Sequence, residues 1–162
     1  MSDYLGNLLN KESVLEWLLS PDHAEYTLQQ IDMYKHIRRL SDVVELRNLI
    51  RDGRTGRLKC EIGEETLGLS KSSFIYLSKC GDVLPRKLIQ EVCQCPACSQ
   101  AFTTEDVIVL NPKSSEIARL EQRLCNLTKN GISHSGKPLS RKKRKTAVTL
   151  AKEPKCKKTK RY

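Results

Sequence analysis

The chain has 162 residues, which is enough for one compact domain, or two small ones, with tails. Most of its positive charge lies at the C-terminal end: residues 129–162 hold 13 Lys and Arg against one acid, which leaves 16 basic and 18 acidic residues elsewhere. A near-neutral body argues against a broad DNA-binding face. No apolar stretch resembles a signal peptide or a membrane span, so no membrane partner is expected.

Residues 1–50 are predicted to be mainly helical. Asn10 is a good N-cap for a first helix, which Pro21 ends, and apolar residues recur between them at helical spacing. These apolar residues are Val14, Leu15, Leu18 and Leu19. A second amphipathic stretch runs from His23 to Ile37. The polar residues 51–57, which include two glycines, then predict a linker.

Short strands are predicted over residues 58–62, 74–78 and 107–110, and a short helix over residues 83–92 with a proline in its first turn. Asn111 and Pro112 are typical of a helix start, and an apolar stripe follows over a helix of about 16 residues. The stripe consists of Ile117, Leu120, Leu124 and Leu127. Residues 130–162 have few apolar side chains and are predicted to form a disordered tail.

Seven cysteines in a chain without a secretion signal indicate metal ligation before disulfides. Four of them lie close together: Cys80, Cys93, Cys95 and Cys98. The Cys-x-x-Cys spacing of Cys95 and Cys98 lets two thiolates bind one tetrahedral zinc ion. Cys80 stands before an intervening segment that suits the second site of a RING-type module. The fourth ligand is either Asp82, which replaces the His of the RING pattern, or Cys93; both remain open.

The pattern predicts at most one zinc ion. Cys60 stands alone, with Gly63 where a Cys-x-x-Cys partner would be, so we interpret Cys60 as a small buried apolar residue. The alternative to zinc is a module held by its apolar core without metal, as in U-box domains. A catalytic thiol is the weakest interpretation, because His23, His36 and His134 all lie far from the cluster in sequence.

Several segments resemble the replication termination factor 2 family. The cysteine cluster resembles its atypical RING-like module, in which a Cys-Gly-(His/Cys) turn, a short helix and a Cys-x-x-Cys knuckle precede an aromatic residue, here Phe102. Residues 106–112, Asp-Val-Ile-Val-Leu-Asn-Pro, match the most specific segment of the family pattern. Residues 6–19 resemble its first helix, and residues 36–46 resemble its His-Ile stretch. The resemblance covers most of the chain before the tail.

This resemblance implies an α+β fold, with a small RING-like or U-box-like module, flanking helices and a basic tail. The expected parts are an incomplete first RING-like half (1–50), the linker (51–57), the zinc module (58–112), a helix (113–129) and the tail (130–162). The resemblance also implies a nuclear protein that stabilises stalled replication forks at a site-specific barrier, with a link to pre-mRNA splicing. Replisome or spliceosome proteins and ubiquitin-like conjugation machinery are the partners it implies.

Two further functions remain open. In a RING-type ubiquitin or SUMO ligase, Ile62 and Pro96 would occupy the places that contact the conjugating enzyme; otherwise Ile62 belongs to the core and Pro96 shapes the turn. The tail carries two basic clusters, which suit an import receptor and would also bind nucleic acid without sequence preference. The clusters are Arg141, Lys142, Lys143, Arg144 and Lys145, then Lys157, Lys158, Lys160 and Arg161.

Overall fold

The computed structural model describes residues 1–20, 25–69, 73–90 and 92–139. The helices of this part are α1 (Lys11–Leu19), α2 (Leu28–Tyr34) and α3 (Ser114–Lys129). Its strands are β1 (Leu49–Arg51), β2 (Leu58–Cys60), β3 (Phe74–Leu77), β4 (Val83–Pro85) and β5 (Val107–Val109). This mixture of helices and small antiparallel sheets confirms the predicted α+β class. None of the described helices is long and apolar enough to cross a bilayer.

The strand β3 is the centre of a three-stranded antiparallel sheet with the order β4-β3-β5. Because side chains alternate along a strand, Phe74 and Tyr76 enter one apolar cluster while Ile75 and Leu77 enter another on the opposite face. All four side chains are buried. The sheet therefore has apolar core on both of its faces.

The two faces of β3 are covered by different parts of the chain. The face that contains Tyr76 packs with Leu120 of α3 and with Cys60 of β2. The opposite face packs with Cys95 and the half-buried Phe102, which come from the cysteine-rich segment. The sheet thus lies between the C-terminal helix and the candidate ligands.

Residues 51–57, predicted as a linker, contain the connection of a β-hairpin in which β1 and β2 pair antiparallel. The Asp52 carboxylate stabilises this turn: it accepts from the backbone N–H of Arg54 at 3.0 Å and from the hydroxyl of Thr55 at 2.7 Å. A polar run with two glycines is typical of a linker and of a hairpin turn alike. The antiparallel pairing of β1 with β2 shows that the run is a hairpin turn here.

The prediction of a helix over residues 83–92 is wrong. Val83, Leu84 and Pro85 form β4, and a 3₁₀ helix, Arg86–Gln90, follows. Val83 and Leu84 are fully buried against β3. Pro85 ends an edge strand, where its missing N–H costs the sheet no hydrogen bond. Burial and strand pairing therefore outweigh the helical propensity of this short segment.

α1 begins where the sequence predicts, because the side chain of Asn10 accepts from a backbone N–H of the first turn at 2.9 Å. Its buried face differs from the predicted one. Val14 and Trp17 are buried, whereas Leu15 is 37% exposed and Leu19 is 80% exposed. The large indole ring, which the apolar pattern did not include, thus determines which side of α1 faces the core.

Trp17 anchors the N-terminal apolar cluster, to which Val14, Ile37 and Val43 also belong. Its indole N–H donates to the carbonyl oxygen of Ile37 at 2.8 Å, so the polar atom of the ring is satisfied inside the cluster. The ring of Tyr34, from α2, lies 5.6 Å from the indole. The cluster therefore holds α1, α2 and the following segment together.

The N-terminal segment that precedes α1 reaches the sheet at Gly6. Ser2 exchanges two backbone hydrogen bonds of 2.8 Å with Val44. Gly6 approaches β5 so closely that a Cβ atom would lie 1.9 Å from the carbonyl oxygen of Val109, and its φ of +78° favours glycine. The Asn111 N–H donates to the carbonyl oxygen of Gly6 at 3.0 Å. These contacts join the N-terminal segment to β5 and to the start of α3.

α3 has the predicted length but starts two residues later than predicted. Its N-cap is Lys113, whereas Asn111 has a left-handed φ of 48° and bonds to the N-terminal segment instead. Within the apolar stripe, Leu120 is fully buried. Arg123 is also buried, at 6% exposed, which an apolar stripe cannot predict.

Residues 130–139, predicted as the start of a disordered tail, form a turn that packs on the fold. Ile132 and Pro138 are bridged across it, and Ser133 and His134 are 3% and 2% exposed. For residues 140–162, which lie outside the described part of the chain, the disordered tail stays a prediction.

A series of hydrogen bonds connects this turn to the core. Arg123 donates to His134 Nδ1 at 2.9 Å, and because a guanidinium cannot accept, Nδ1 must be the acceptor. The neutral ring then donates from Nε2 to the Tyr76 hydroxyl at 2.7 Å, which donates to the carbonyl oxygen of Asp3, also at 2.7 Å. Burial, together with the charge of Arg123, lowers the pKa of His134 to about 3.

This network predicts that stability falls as the pH drops below 6.5, the ordinary pKa of His. The pKa of His134 is depressed in the folded state, so its contribution is complete above 6.5 and is lost as the unfolded chain takes up a proton at lower pH. The free energy of unfolding in urea should fall by about 2 kcal/mol between about pH 7 and about pH 5.

His134→Gln is the control, because an amide keeps one acceptor and one donor without titrating. The free energy of unfolding of this variant should change much less than that of the parent over the same pH range. A variant with the same pH dependence as the parent would show that another group titrates. The carboxyl of Asp3 is not expected to contribute to this change in stability. Burial would raise its pKa, but hydrogen bonds from His36 and Asn7 hold that pKa below its ordinary value.

Candidate metal centre

The first pair of predicted ligands, Cys80 and Asp82, lies in the tight turn that joins β3 to β4. The turn is closed by a hydrogen bond from the N–H of Gly81 to the carbonyl oxygen of Leu77 at 2.7 Å, and the Leu77 N–H donates to the carbonyl oxygen of Asp82 at 3.2 Å. Gly81, with φ +80°, has a conformation that other residues rarely adopt. The sheet thereby fixes the position of both ligand residues.

The second pair, Cys95 and Cys98, lies in a turn of its own. The Ser99 N–H donates to the carbonyl oxygen of Cys95 at 2.8 Å, and the Cys95 N–H donates to that of Gln100 at 2.9 Å. Cys95 is buried under the central sheet, while Cys98 is exposed at the surface. The core therefore holds one thiol of this turn, and solvent reaches the other.

The two turns bring one donor atom from each of Cys80, Asp82, Cys95 and Cys98 to within 4.8 Å of one another. Sulfur ligands of a tetrahedral zinc ion, with bonds of about 2.3 Å, lie about 3.8 Å apart. Small movements of the side chains would therefore close the group around one ion. Cys93, the alternative fourth ligand, is exposed and lies outside this group of described residues. The donor set fits a single tetrahedral cation.

The Asp82 carboxylate is held by a side chain from outside both turns. Asn48 donates from Nδ2 to Asp82 Oδ1 at 3.1 Å, while Oδ2 accepts from the Cys95 thiol at 3.1 Å. One carboxylate oxygen is thus bound to an amide and the other faces the thiols. This arrangement favours a carboxylate that would bind a metal through a single oxygen.

The thiols and the carboxylate change one another's acidity. Burial, followed by the nearby Asp82 carboxylate, raises the pKa of Cys80 and of Cys95. Burial alone would raise the pKa of Asp82, but hydrogen bonds from the Cys80, Cys98 and Cys95 thiols hold it below its ordinary value. The Asp82 carboxylate is therefore surrounded by thiols that donate to it. Binding of a divalent cation would replace those thiol protons, so affinity should increase with pH.

A short backbone arm from the N-terminal half runs along the first turn. The Arg47 N–H donates to the carbonyl oxygen of Gly81 at 2.8 Å, and the Val83 N–H donates to that of Arg47 at 3.4 Å. A Cβ atom on Gly81 would lie 2.1 Å from the carbonyl oxygen of Glu45. Asn48, with a φ of 58°, follows directly on this arm. The arm thus places the Asn48 amide against the candidate ligands.

Sequence reasoning missed the arm, and it missed Arg47 and Asn48 as neighbours of the site. Both lie more than thirty positions before Asp82, as the separation of 34 between Asn48 and Asp82 shows. No motif spacing connects them. The one available signal is weak: Asn tolerates the left-handed conformation better than most residues.

The other predicted residues have different environments. Cys60 is fully buried, as predicted, and its thiol donates to the carbonyl oxygens of Ile62 and Val83 at 3.1 and 3.3 Å. Ile62 is half-buried and packs against both apolar clusters of the sheet, whereas Pro96 is exposed. The basic clusters of residues 141–145 and 157–161 lie outside the described residues.

Comparison with known proteins agrees with this geometry. The family model described as Rtf2 RING-finger matches residues 1–162, the whole chain. The chain belongs to the Rtf2 RING-finger family. The family assignment confirms the resemblance to the replication termination factor 2 family that the sequence motifs indicated.

Members of the family from distant organisms are similar to the chain. The replication termination factor 2 of Mus musculus is 31% identical over 137 residues, which cover 74% of this chain and 44% of the mouse protein. The protein of the same name in Gallus gallus is 29% identical over 139 residues, with coverages of 74% and 44%. That of Dictyostelium discoideum is 26% identical over 161 residues, with coverages of 78% and 57%. The chain spans about half the length of these relatives. No solved structure matches it.

The close approach at Gly81 generates a testable prediction. Gly81→Ala should destabilise the fold by about 3 kcal/mol or more, because the new methyl group must push the turn away from the arm at Glu45. Gly131→Ala is the matched control: Gly131 also has a positive φ, of +70°, but nothing lies within 4 Å of its Cβ position. This control should cost only about 1 kcal/mol.

Urea unfolding of the two variants and the parent measures this difference. A Gly81→Ala protein that is no less stable than Gly131→Ala would show that the arm does not lie against the turn in solution.

Proposed function

We propose that this protein is a nuclear interaction protein that stabilises stalled replication forks during site-specific replication termination. The observation that carries the proposal is the match of the Rtf2 RING-finger family to the whole chain, together with relatives named replication termination factor 2. A role in pre-mRNA splicing belongs to the same proposal. Replisome and spliceosome proteins are the proposed partners.

The proposed cofactor is one zinc ion, held by Cys80, Asp82, Cys95 and Cys98. Thiolates are the usual ligands of structural zinc, and a carboxylate oxygen is able to complete the tetrahedron. Cys95 packs under the central sheet, and Asp82 is bound to Asn48 on the N-terminal arm. Ligation would therefore join the second turn, the first turn and the arm into one rigid unit. Such a unit suits a structural role.

Protein binding is favoured over covalent chemistry at the thiols, because burial raises the pKa of Cys80 and of Cys95, which keeps these thiols protonated, and no histidine of the described residues is placed beside them as a general base. The two histidines of the described residues are bound elsewhere. His36 lies 3.1 Å from the Asp3 carboxylate, and His134 bonds to Arg123 and Tyr76. These contacts support a scaffold that holds partners.

A ubiquitin or SUMO ligase is the second candidate function, and one observation favours it. Pro96 is exposed and shares a shallow surface groove with Val92, which is 38% exposed. An apolar surface at the knuckle is what a conjugating enzyme would contact. Against this, Ile62 packs against both apolar clusters, so part of its side chain is already used in the core. We therefore rank the ligase below the fork factor.

Nuclear import is proposed to depend on the basic tail. Residues 140–162 contain eleven Lys and Arg against one acid. The two clusters, at residues 141–145 and 157–161, have the composition that an import receptor binds. The same charges would attract nucleic acid without sequence preference, and this attraction would weaken steeply with salt.

Zinc content tests the proposed cofactor. Purified protein should contain about one zinc ion per chain by elemental analysis, and Cys98→Ser should remove the zinc and lower the thermal midpoint, since the site loses a thiolate. Cys98 is exposed, so the substitution does not disturb the core directly. Cys93→Ser is the matched control, because Cys93 is exposed two residues before the knuckle but lies outside the ligand group.

The control should keep both the zinc and the stability. If Cys93→Ser loses as much zinc and stability as Cys98→Ser, Cys93 is a ligand in place of Asp82. A parent protein that holds no zinc and still unfolds cooperatively would mean that the apolar core holds the module without metal.

A replication assay with the same pair of variants tests the fork function. In cells that lack their own Rtf2-family protein, the parent chain and Cys93→Ser should restore fork pausing at a site-specific barrier, measured by two-dimensional gel electrophoresis. Cys98→Ser should not. If the parent chain accumulates in the nucleus but restores no pausing, the proposed function is wrong for this protein, whatever its zinc content.

A further inference from the structure

A cavity of about 520 Å³ lies between the N-terminal half and the C-terminal helix, at a place distinct from the candidate metal centre. Residues 4, 36, 38, 39 and 42 contribute to one wall, and α3 with the turn at residues 132–139 forms the other. We call it the α3 cavity. Its volume is in the range of sites that bind small molecules or a few side chains of a peptide.

Two arginines on the N-terminal wall give the α3 cavity its positive charge. Arg38 and Arg39 both line it, and both side chains are exposed. The Asp42 carboxylate accepts from their backbone N–H groups at 3.0 and 2.9 Å, which fixes the backbone that carries them. Among the residues that the structure describes, neither guanidinium forms an ion pair. Both are therefore available to an anionic group.

The opposite wall carries three aliphatic side chains beside the polar Thr128, Ser133 and His134. Leu124 of α3, with Ile132 and Leu139 of the following turn, lines the cavity, and each of the three is only partly buried. An occupant with an apolar side chain would cover this remaining surface, which is a favourable contribution to binding. The cavity therefore combines these aliphatic side chains, which we call the aliphatic floor, with two exposed guanidinium groups, each of which can bind a carboxylate through two N–H groups.

The walls are fixed before anything binds. The rings of Tyr4 and His36 pack edge to face, with centroids 5.2 Å apart, and His36 bonds to the buried Asp3 carboxylate. His134, which is 2% exposed, is held by Arg123 and Tyr76. A preformed site loses less conformational entropy on binding than one that must assemble.

We propose that the α3 cavity binds a short acidic peptide segment of a partner protein, with an apolar side chain on the aliphatic floor and carboxylates at Arg38 and Arg39. Charge excludes the chain's own tail as the preferred occupant, since residues 140–162 hold eleven basic residues and one acid. Single-stranded nucleic acid is disfavoured, because it needs open aromatic faces for stacking. Here the rings of Tyr4 and His36 pack against each other, and the Asp42 carboxylate also lines the cavity.

The test uses the full chain and a fluorescein-labelled octapeptide of five glutamates, two leucines and one phenylalanine. Binding is measured by fluorescence anisotropy at about 0.15 M salt, which screens the long-range attraction between the peptide and the basic tail. Arg38→Glu/Arg39→Glu should weaken binding by on the order of tenfold or more. Lys142→Glu/Lys143→Glu changes the net charge by the same amount in the tail, and it should change binding by less than about twofold.

A second pair of reagents guards against misfolding and against pure charge effects. Arg38→Gln/Arg39→Gln removes the positive charges without placing new carboxylates beside Asp42, and it should weaken binding in the same direction. An octapeptide in which serines replace the apolar residues should bind several-fold more weakly than the parent peptide.

Three results would overturn the proposal. Equal weakening by the tail pair would mean that only net charge attracts the peptide. A serine-substituted peptide that binds as well as the parent peptide would mean that the aliphatic floor is not used. Displacement of the peptide by an oligothymidine of eight nucleotides, sensitive to the arginine pair, would identify a nucleic-acid site instead.

Discussion

Burial of β3 on both faces is the constraint on which the rest of the structure depends. Four consecutive buried residues, Phe74–Leu77, leave no side of this strand for solvent. One face therefore needs α3 and the β-hairpin, and the other needs the cysteine-rich segment. The candidate ligands are consequently attached to the core, and Cys95 belongs to both.

The N-terminal half is attached to the same sheet through the apolar side chains of Leu8, Val44 and Leu46 and through backbone and polar contacts. Gly6 meets β5, Gly81 meets the arm at Glu45, and the Tyr76 hydroxyl bonds to the carbonyl oxygen of Asp3. Such contacts need close geometry, and a buried polar group that loses its partner is costly. The network from Arg123 through His134 thus has two roles. It satisfies the buried tyrosine, and it fixes the turn that forms one wall of the α3 cavity.

Sequence alone predicts the parts of this fold that follow from local patterns. The Asn10 cap, the strands at residues 74–77 and 107–109, the 16-residue α3 and the buried Cys60 all follow from spacing or residue type. The failures have a common cause. Residues 83–92 form a strand and a 3₁₀ helix because β3 pairs with them, and no local pattern shows that partner. Likewise His134 is buried through contacts with residues 11 and 58 positions away.

The candidate metal centre shows the same division between local and distant information. The Cys-x-x-Cys turn is a local signal, and it indicates two of the four candidate donors. The choice between Asp82 and Cys93 is not local, because both lie close to the cluster in sequence. Position in the fold separates them: Asp82 is buried beside the thiols, while Cys93 is exposed.

At the candidate metal centre, Asn48 offers a physical reason why an aspartate could serve as a ligand at a position where RING modules have histidine. A carboxylate has two equivalent oxygens and is able to chelate, which distorts a tetrahedral site, whereas a histidine offers one nitrogen to the metal and binds a second group through the other. The Asn48 amide occupies Oδ1 of Asp82 and leaves Oδ2 toward the thiols, so the pair Asp82–Asn48 presents one donor atom. The left-handed backbone at Asn48 and the hydrogen bond from Arg47 to Gly81 position that amide. The departure from the RING pattern and the arm that sequence analysis missed are therefore parts of one arrangement.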